Sequence, residues 1–300
     1  MRTYIQKKLH LLRNAFFHKA IASEYKKAGL SVSVTTLSYG HVSYLANSKV
    51  AEHEAIVMLH GAGADKSSWV RFARFIGSQR RIVIPDLPGH GASIQEMSFD
   101  YGVQQQTIRL QEFLDALHID KAHLIANSMG CAIALRLACK NPGVVSSLVL
   151  IDAAGVERTP SRLRAHIAET GKNPMIEINS AEDFRLMMRY GMASPPYIPG
   201  IFVNLLAEEK IKRGNIDLKI LSDIEKDLDQ TSILADIKAP TLIIWGAQDR
   251  VVHVDDADLL LEKIAGSKKL ILDGVGHVPM VENPKLVATH CLSFLDGIAA

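Results

Sequence analysis

Several features are scarce in this chain of 300 residues. It has three cysteines, and Cys131 and Cys139 fall on one predicted helix at a spacing too long to bridge. A disulfide scaffold is therefore excluded. No run of 18 apolar residues occurs, so no transmembrane helix is predicted. Excess charge of one sign is also missing, because 34 basic and 32 acidic residues leave a net charge of +2. That balance gives no reason to expect a nucleic-acid partner.

What is present suits a large globular protein. A hydrophobic content of 48% is enough for a sizeable core, and the length fits one large domain or a domain with an insertion. The cysteine usage is typical of a reducing compartment or neutral to compartment. We therefore expect a cytoplasmic protein, with secretion as the less favoured alternative.

The N-terminal 30 residues carry their own charge pattern, with seven basic residues against the single acid Glu24. Apolar residues recur at helical spacing at Ile5, Leu9, Leu12 and Phe16. Two interpretations stay open for residues 1–30. This basic amphipathic helix lies on an anionic membrane surface as a peripheral contact, or it packs on its own domain with its charges solvated.

Apolar runs alternate with helical patterns along most of the chain, which predicts an α/β fold with a mostly parallel, doubly wound sheet. The first two runs look like an antiparallel hairpin at one edge. The strand rhythm stops in a helical, Met-rich stretch, which we interpret as a cap inserted over the sheet. The predicted division is the N-terminal helix over 1–30, a core that contains the sheet over 31–156 and 235–300, and a helical cap over 157–234. The strand candidates are Ser31–Leu37, Val42–Leu45, Ala55–Leu59, Arg81–Pro85, Ala122–Ala126, Ser147–Ile151, Thr241–Trp245 and Lys269–Leu272.

The segment His123–Ala138 carries the strongest functional signal. It is typical of a buried strand, a tight turn with one serine, and a helix of small and apolar residues. Ser128 has Ala126 two positions before it and Gly130 two positions after it. This spacing is that of the nucleophile elbow, with Ala in place of the first Gly. The strained turn exposes the serine hydroxyl above the sheet.

A serine nucleophile needs a histidine base and an acid that orients the histidine. Two later strands end in suitable loops, one with Asp249 and one with His277. The chain order Ser128, Asp249, His277 is the order expected for this architecture. Asp152, at the end of an earlier strand, is the rival acid.

The glycine loop after the Ala55–Leu59 strand is the candidate second half of an oxyanion hole. We expect the backbone N–H groups of Ala62 and Met129 to hold the oxyanion. The loop fits neither a phosphate loop nor a dinucleotide fingerprint. No metal-ligand spacing is found, so the chemistry is expected to need no metal and no cofactor.

The chain resembles the α/β-hydrolase superfamily and, within it, is similar to monoacylglycerol lipases and bacterial lipases of the ABHD6-related group. Ala126 and Cys131 stand where such proteins often have Gly, and both are small enough for the elbow to survive. The resemblance runs from about Ser31 to Leu295. It is carried by His60–Trp69, Pro85–Gly91, Ala126–Gly130, Pro195–Gly200, Thr241–Asp249 and Gly274–Pro284.

Residues and resemblance together predict a serine carboxylic-ester hydrolase acting on apolar acyl esters, in particular a lipase or monoacylglycerol lipase that uses a Ser-His-Asp acyl-enzyme mechanism. An adaptable acyl pocket is predicted in the cap from Met187, Met188, Tyr197, Ile201 and Phe202, with plain packing of the cap as the alternative for the methionines. Two rival functions are a carbon–carbon hydrolase of ring-cleavage products and a non-catalytic binding protein on the same fold.

Overall fold

A computed structural model describes residue 16 and residues 19–47, 54–77 and 80–299. Its eight strands form one sheet in the order β1-β2-β4-β3-β5-β6-β7-β8. Strand β2 runs antiparallel to both of its neighbours, β1 and β4, and all the other neighbouring pairs are parallel. The strands are β1 (Ser31–Leu37), β2 (Gly40–Ala46), β3 (Ala55–Leu59), β4 (Ile82–Pro85), β5 (Ala122–Ser128), β6 (Val145–Ala153), β7 (Thr241–Gly246) and β8 (Lys268–Leu272).

Helices cover both faces of this sheet, as the unbroken apolar runs of the central strands require. Every residue of β3 is buried, and its alternate side chains enter opposite cores: Val57 and Leu59 on one face, Ile56 and Met58 on the other. The helices are α1 (19–27), α2 (Val70–Ile76), α3 (Val103–Ala116), α4 (Met129–Lys140), α5 (Arg162–Thr170), α6 (Ala181–Gly191), α7 (Gly200–Ile224), α8 (Asp256–Lys263), α9 (Pro279–Glu282) and α10 (Pro284–Ala299).

Three helices, α5 to α7, lie between β6 and β7 and have a small apolar cluster of their own. Phe184 of α6 packs there with Val203 and Ala207 from the first half of α7. The second half of α7 enters the main core through Ile216 and Ile220. One long helix thus joins the inserted segment rigidly to the sheet. The division into a core and a cap over 157–234 stays our proposal.

The predicted fold class is confirmed, including the antiparallel edge hairpin. Strand β6 begins earlier and ends later than its apolar run suggested, because the sheet pairing continues beyond that run. Of the N-terminal stripe, Ile5, Leu9 and Leu12 lie outside the described residues. Within α1, Tyr25 is partly buried against the core below it. None of the described helices combines the length and apolar character needed to cross a membrane.

Candidate active site

Ser128 lies at the last position of β5, immediately before helix α4. Its backbone has φ 54° and ψ −121°, a left-handed conformation that costs a non-glycine residue of order 1–3 kcal/mol. Such strain persists only where the surrounding structure enforces it. A Cβ on Gly130 would come within 2.6 Å of the carbonyl oxygen of Leu59. The glycine two residues after Ser128 is therefore required by the close approach of β3.

Asp249 and His277 form a direct pair at the ends of β7 and β8. The Nδ1 atom of His277 lies 2.8 Å from Oδ2 of Asp249, and both side chains are buried. The other oxygen of Asp249 accepts hydrogen bonds from the backbone N–H groups of Val251 and Val252. Asp249 therefore caps its own turn and orients the histidine at once. With Nδ1–H donated to the carboxylate, Nε2 is left as the basic nitrogen.

Asn127, the residue before the nucleophile, ties the histidine loop to the elbow. Its Nδ2 donates to the carbonyl oxygen of His277 at 3.0 Å and to that of Ile151 at 3.1 Å. This buried amide brings the loop of His277 beside Ser128. Asn127 is not among the residues predicted from the sequence, because an amide that bonds two distant carbonyls carries no spacing signal.

Asp152, the rival acid, lies next to the pair. It is fully buried at the end of β6, with φ 47°, and its Oδ1 accepts from the N–H of Gly246 at 2.9 Å. One ligating atom each of Asp152, Asp249 and His277 lie within 4.8 Å of one another. Burial and the charge of Asp249 raise the pKa of Asp152 well above its usual value. Both effects favour the neutral form of the Asp152 carboxyl, and the hydrogen bond of the histidine goes to Asp249.

The glycine loop after β3 lies directly against the nucleophile. A Cβ on Gly61 would be 3.0 Å from Cβ and 3.5 Å from Oγ of Ser128. His60 braces this loop, since its Nδ1 is 2.8 Å from the Gly61 carbonyl oxygen and its Nε2 accepts from the N–H of Leu87 at 3.0 Å. Ala62 follows Gly61 directly, and Met129 opens α4. Their role as oxyanion donors stays a prediction.

A buried ion pair holds the far end of the same loop. Lys66 bonds the carboxylate of Asp86 through both its ammonium and its backbone N–H, the latter at 2.8 Å. From the other side, the ammonium of Lys210 on α7 donates to the carbonyl oxygen of Gly63. The loop is thus fixed by β4 and by the inserted helices together. In the sequence these lysines look like ordinary surface charges.

The five predicted acyl-pocket residues lie in different surroundings. Met187 and Met188 pack against the small cluster of α6 and α7, whereas Tyr197 and Ile201 are exposed. The ring of Phe202 stacks on that of Phe16 with centroids 6.0 Å apart. The geometry thus places the two methionines where the packing alternative expected them. Acyl binding by any of the five stays a prediction.

Comparison with known proteins agrees with this architecture. Residues 54–284 match the model of the family described as alpha/beta hydrolase fold. The chain belongs to the α/β hydrolase family. Lipase 3 of Moraxella sp. (strain TA144) is 35% identical over 285 residues, which cover 93% of this chain and 89% of that protein. Human monoacylglycerol lipase ABHD6 is 29% identical over 81% of this chain and 76% of its own.

A solved structure is also similar to this α/β hydrolase over its whole length. The crystal structure of a membrane phospholipase A, described as a bacterial virulence factor, is 31% identical and superposes with a TM-score of 0.90. It covers 100% of this chain and 99% of that one. The family match and the lipase-named relatives confirm the predicted resemblance and the prediction of an ester hydrolase.

Proposed function

We propose that this α/β hydrolase cleaves apolar acyl esters through a covalent acyl-enzyme formed on Ser128. One observation carries the proposal: the strained serine at the elbow shares its end of the sheet with a buried histidine that is hydrogen-bonded to Asp249 at 2.8 Å. Nucleophile, base and orienting acid are the three groups that activate a serine hydroxyl at neutral pH.

The proposed reaction has two halves. His277 Nε2 takes the hydroxyl proton of Ser128 as Oγ attacks the ester carbonyl, and the histidine then gives that proton to the leaving alcohol. Asp249 holds the ring and stabilises the imidazolium. The N–H groups of Ala62 and Met129 stabilise the oxyanion, because they are fixed donors at the place where negative charge develops. Water activated by His277 then releases the acid.

We propose monoacylglycerols or other acylglycerols as the substrates. Support comes from the lipase and monoacylglycerol lipase names of relatives that share most of the chain. It also comes from the apolar cluster on α6 and α7, two helices that contact the loops of His277 and Gly63 through Gly191 and Lys210. Each methylene buried on binding contributes about 0.8 kcal/mol. The enzyme should therefore favour medium or long acyl chains over acetate.

A panel of nitrophenyl esters from acetate to palmitate, run beside monoacylglycerols, tests this substrate class. We expect kcat/KM to rise by more than tenfold from acetate to decanoate and monoacylglycerols to be cleaved. Equal values for acetate and decanoate would contradict a lipid substrate. Turnover of a ring-cleavage diketone above that of every ester would favour the carbon–carbon alternative.

We also propose a cytoplasmic enzyme that contacts membranes peripherally through residues 1–30. In the described part of this segment, Lys19, Lys26 and Lys27 are exposed. Phe16 is 64% exposed and its ring stacks on that of Phe202. Phe202 is close in sequence to Tyr197 and Ile201, which are also exposed. Basic residues beside exposed apolar ones suit an anionic lipid surface.

A further inference from the structure

The carboxylate of Glu282, at the end of α9, joins the histidine loop to the segment after α6. Its Oε1 accepts from the N–H of Gly276 at 2.7 Å, next to His277. Its Oε2 accepts from the N–H groups of Ala193 and Ser194, each at 2.9 Å. Three backbone donors from two separate segments thus converge on one half-buried carboxylate. Hydrogen bonds to an ionised acceptor are among the strong ones.

Two further contacts press the same segments together. The N–H of His277 donates to the carbonyl oxygen of Gly191, the last residue of α6, at 2.9 Å. A Cβ on Gly276 would come within 2.8 Å of the backbone nitrogen of Ala193, so the two backbones touch without intervening side chains. The backbone of His277 is therefore hydrogen-bonded directly to the end of α6.

We propose that Glu282 is a positioning residue that sets the place of His277 by fastening its loop to residues 191–194 of the inserted helices. The inference rests on His277 as the base of the proposed reaction. Its consequence is that α6 and the base move together. A displacement of about 1 Å in a catalytic group can cost 10²-fold in rate, so a loosened loop must lower turnover without loss of substrate binding.

Glu282→Gln is the sharpest test, because it keeps the size of the side chain and replaces one acceptor oxygen with an NH₂ group. That NH₂ must face either Gly276 N–H or the N–H groups of Ala193 and Ser194, donor against donor. Glu262→Gln is the matched control, since Glu262 pairs with Arg158 at the surface. Glu282→Asp, which keeps the charge but is one methylene too short to span both segments, is the second variant.

Two quantities are measured for each variant: kcat and KM for a short and a long nitrophenyl ester, with active sites counted by titration, and the bimolecular rate of labelling by a fluorophosphonate. Neither depends on the amount of misfolded protein. We expect Glu282→Gln to lower kcat and the labelling rate about 10- to 100-fold for both esters, with KM within about threefold. The kcat and labelling rate of Glu282→Asp should lie between those of Glu282→Gln and those of the wild type, and the values of Glu262→Gln should match the wild type.

Wild-type kcat and labelling rates in Glu282→Gln would overturn the inference, even if its melting temperature falls, because the residue would then only stabilise the fold. An effect confined to KM of the long ester would also overturn it and place Glu282 at the acyl site. His277→Ala separates this failure from failure of the proposed function. If His277→Ala is labelled as fast as the wild type, the base is misassigned, whatever Glu282→Gln does.

Discussion

Ser128 combines a catalytic side chain with an unfavourable backbone conformation, so two substitutions separate its two properties. Ser128→Ala removes the hydroxyl and leaves the strain. It should lower ester hydrolysis by on the order of 10⁴-fold or more, as loss of a triad nucleophile does, while the fold survives. A fluorophosphonate should label the wild type at Ser128 and spare the variant. Labelling of a different serine would contradict the assignment.

Ser128→Gly also removes the hydroxyl and in addition relieves the positive φ. The strain is worth about 1–3 kcal/mol, which exceeds the 0.5–1 kcal/mol or so by which glycine weakens regular structure. We therefore expect Ser128→Gly to melt above Ser128→Ala in thermal unfolding. An equal or lower melting temperature would mean that the elbow is not strained.

The two aspartates at the site have different hydrogen-bond partners and should respond differently to amide substitution. Asp249→Asn leaves His277 in the wrong tautomer and should cost about 10⁴-fold, the loss found when the acid of a serine-protease triad becomes an amide. Burial and the charge of Asp249 raise the pKa of Asp152, which favours its neutral form and makes the amide a close mimic. Asp152→Asn should keep activity within about tenfold. If Asp152→Asn is the crippling change, Asp152 is the orienting acid.

The raised pKa of Asp152 also predicts a dependence of stability on pH. The unfolded carboxyl ionises near pH 4, and the folded one only well above that pH. Its contribution to stability is therefore complete below about pH 4 and is lost as the pH rises toward the folded pKa, at most about 1.4 kcal/mol per pH unit. Asp152→Asn lacks this loss. Unfolding in urea from pH 5 to 8 should show the free energy of unfolding of the variant rising relative to that of the wild type. A difference between the two free energies that does not change with pH would mean that Asp152 has an ordinary pKa.

At the scale of elements, helix α7 connects the inserted segment to the glycine loop. Lys210 donates to the carbonyl oxygen of Gly63, and its neighbour Arg213 donates to that of Gly89 at 2.7 Å. Asp217 lies between the two cations, 3.8 Å and 2.9 Å from their nitrogens. Since Gly63 follows Ala62, this helix supports the predicted oxyanion donor.

Lys210→Met should therefore lower kcat/KM for esters about tenfold, because a charged donor to the loop is lost and Asp217 keeps only Arg213. Lys212→Met is the control. Lys212 lies on the same helix, is exposed and pairs with Glu209. If the two variants change kcat/KM equally in steady-state kinetics, Lys210 does not support the loop that carries the predicted oxyanion donor.

At the scale of the whole molecule, the proposed membrane contact can be tested without damage to the core. A truncation at Ser31 would remove the buried Leu30 and the partly buried Tyr25. A chain starting at Phe16 avoids this and deletes four of the seven basic residues of the segment. At roughly 1 kcal/mol each near an anionic surface, their loss should weaken vesicle binding on the order of 100-fold or more.

Co-sedimentation with phosphatidylserine-containing and with neutral vesicles measures that loss. Binding of the full chain should also fall at high salt, because the charges are screened. Lys268→Glu, a charge change at an exposed position of β8, should bind like the full chain. Equal sedimentation of the full and shortened chains, or binding that does not require anionic lipid, would contradict the membrane contact. It would favour the alternative interpretation, in which residues 1–30 pack on their own domain.

The sequence by itself determined the fold class, the approximate place of the eight strands found in the described residues, and the Ser128, Asp249 and His277 candidates. The reason is that these signals are local. Unbroken β-branched runs must be buried on both faces, and the elbow needs small residues at fixed offsets from the serine. Each of these two signals is contained within a short segment of the sequence.

Only the tertiary structure decided which groups meet across long separations. Asn127 reaches His277 over 150 positions, and Lys210 reaches Gly63 over 147. It also made Asp249 rather than Asp152 the partner of the histidine. Of the predicted acyl-pocket residues, the structure packs Met187 and Met188 against the cluster of α6 and α7 and leaves Tyr197 and Ile201 exposed to solvent. Such pairings depend on how loops and helices are stacked on the sheet, and on the burial that this stacking produces, neither of which is encoded in the spacing of any one segment.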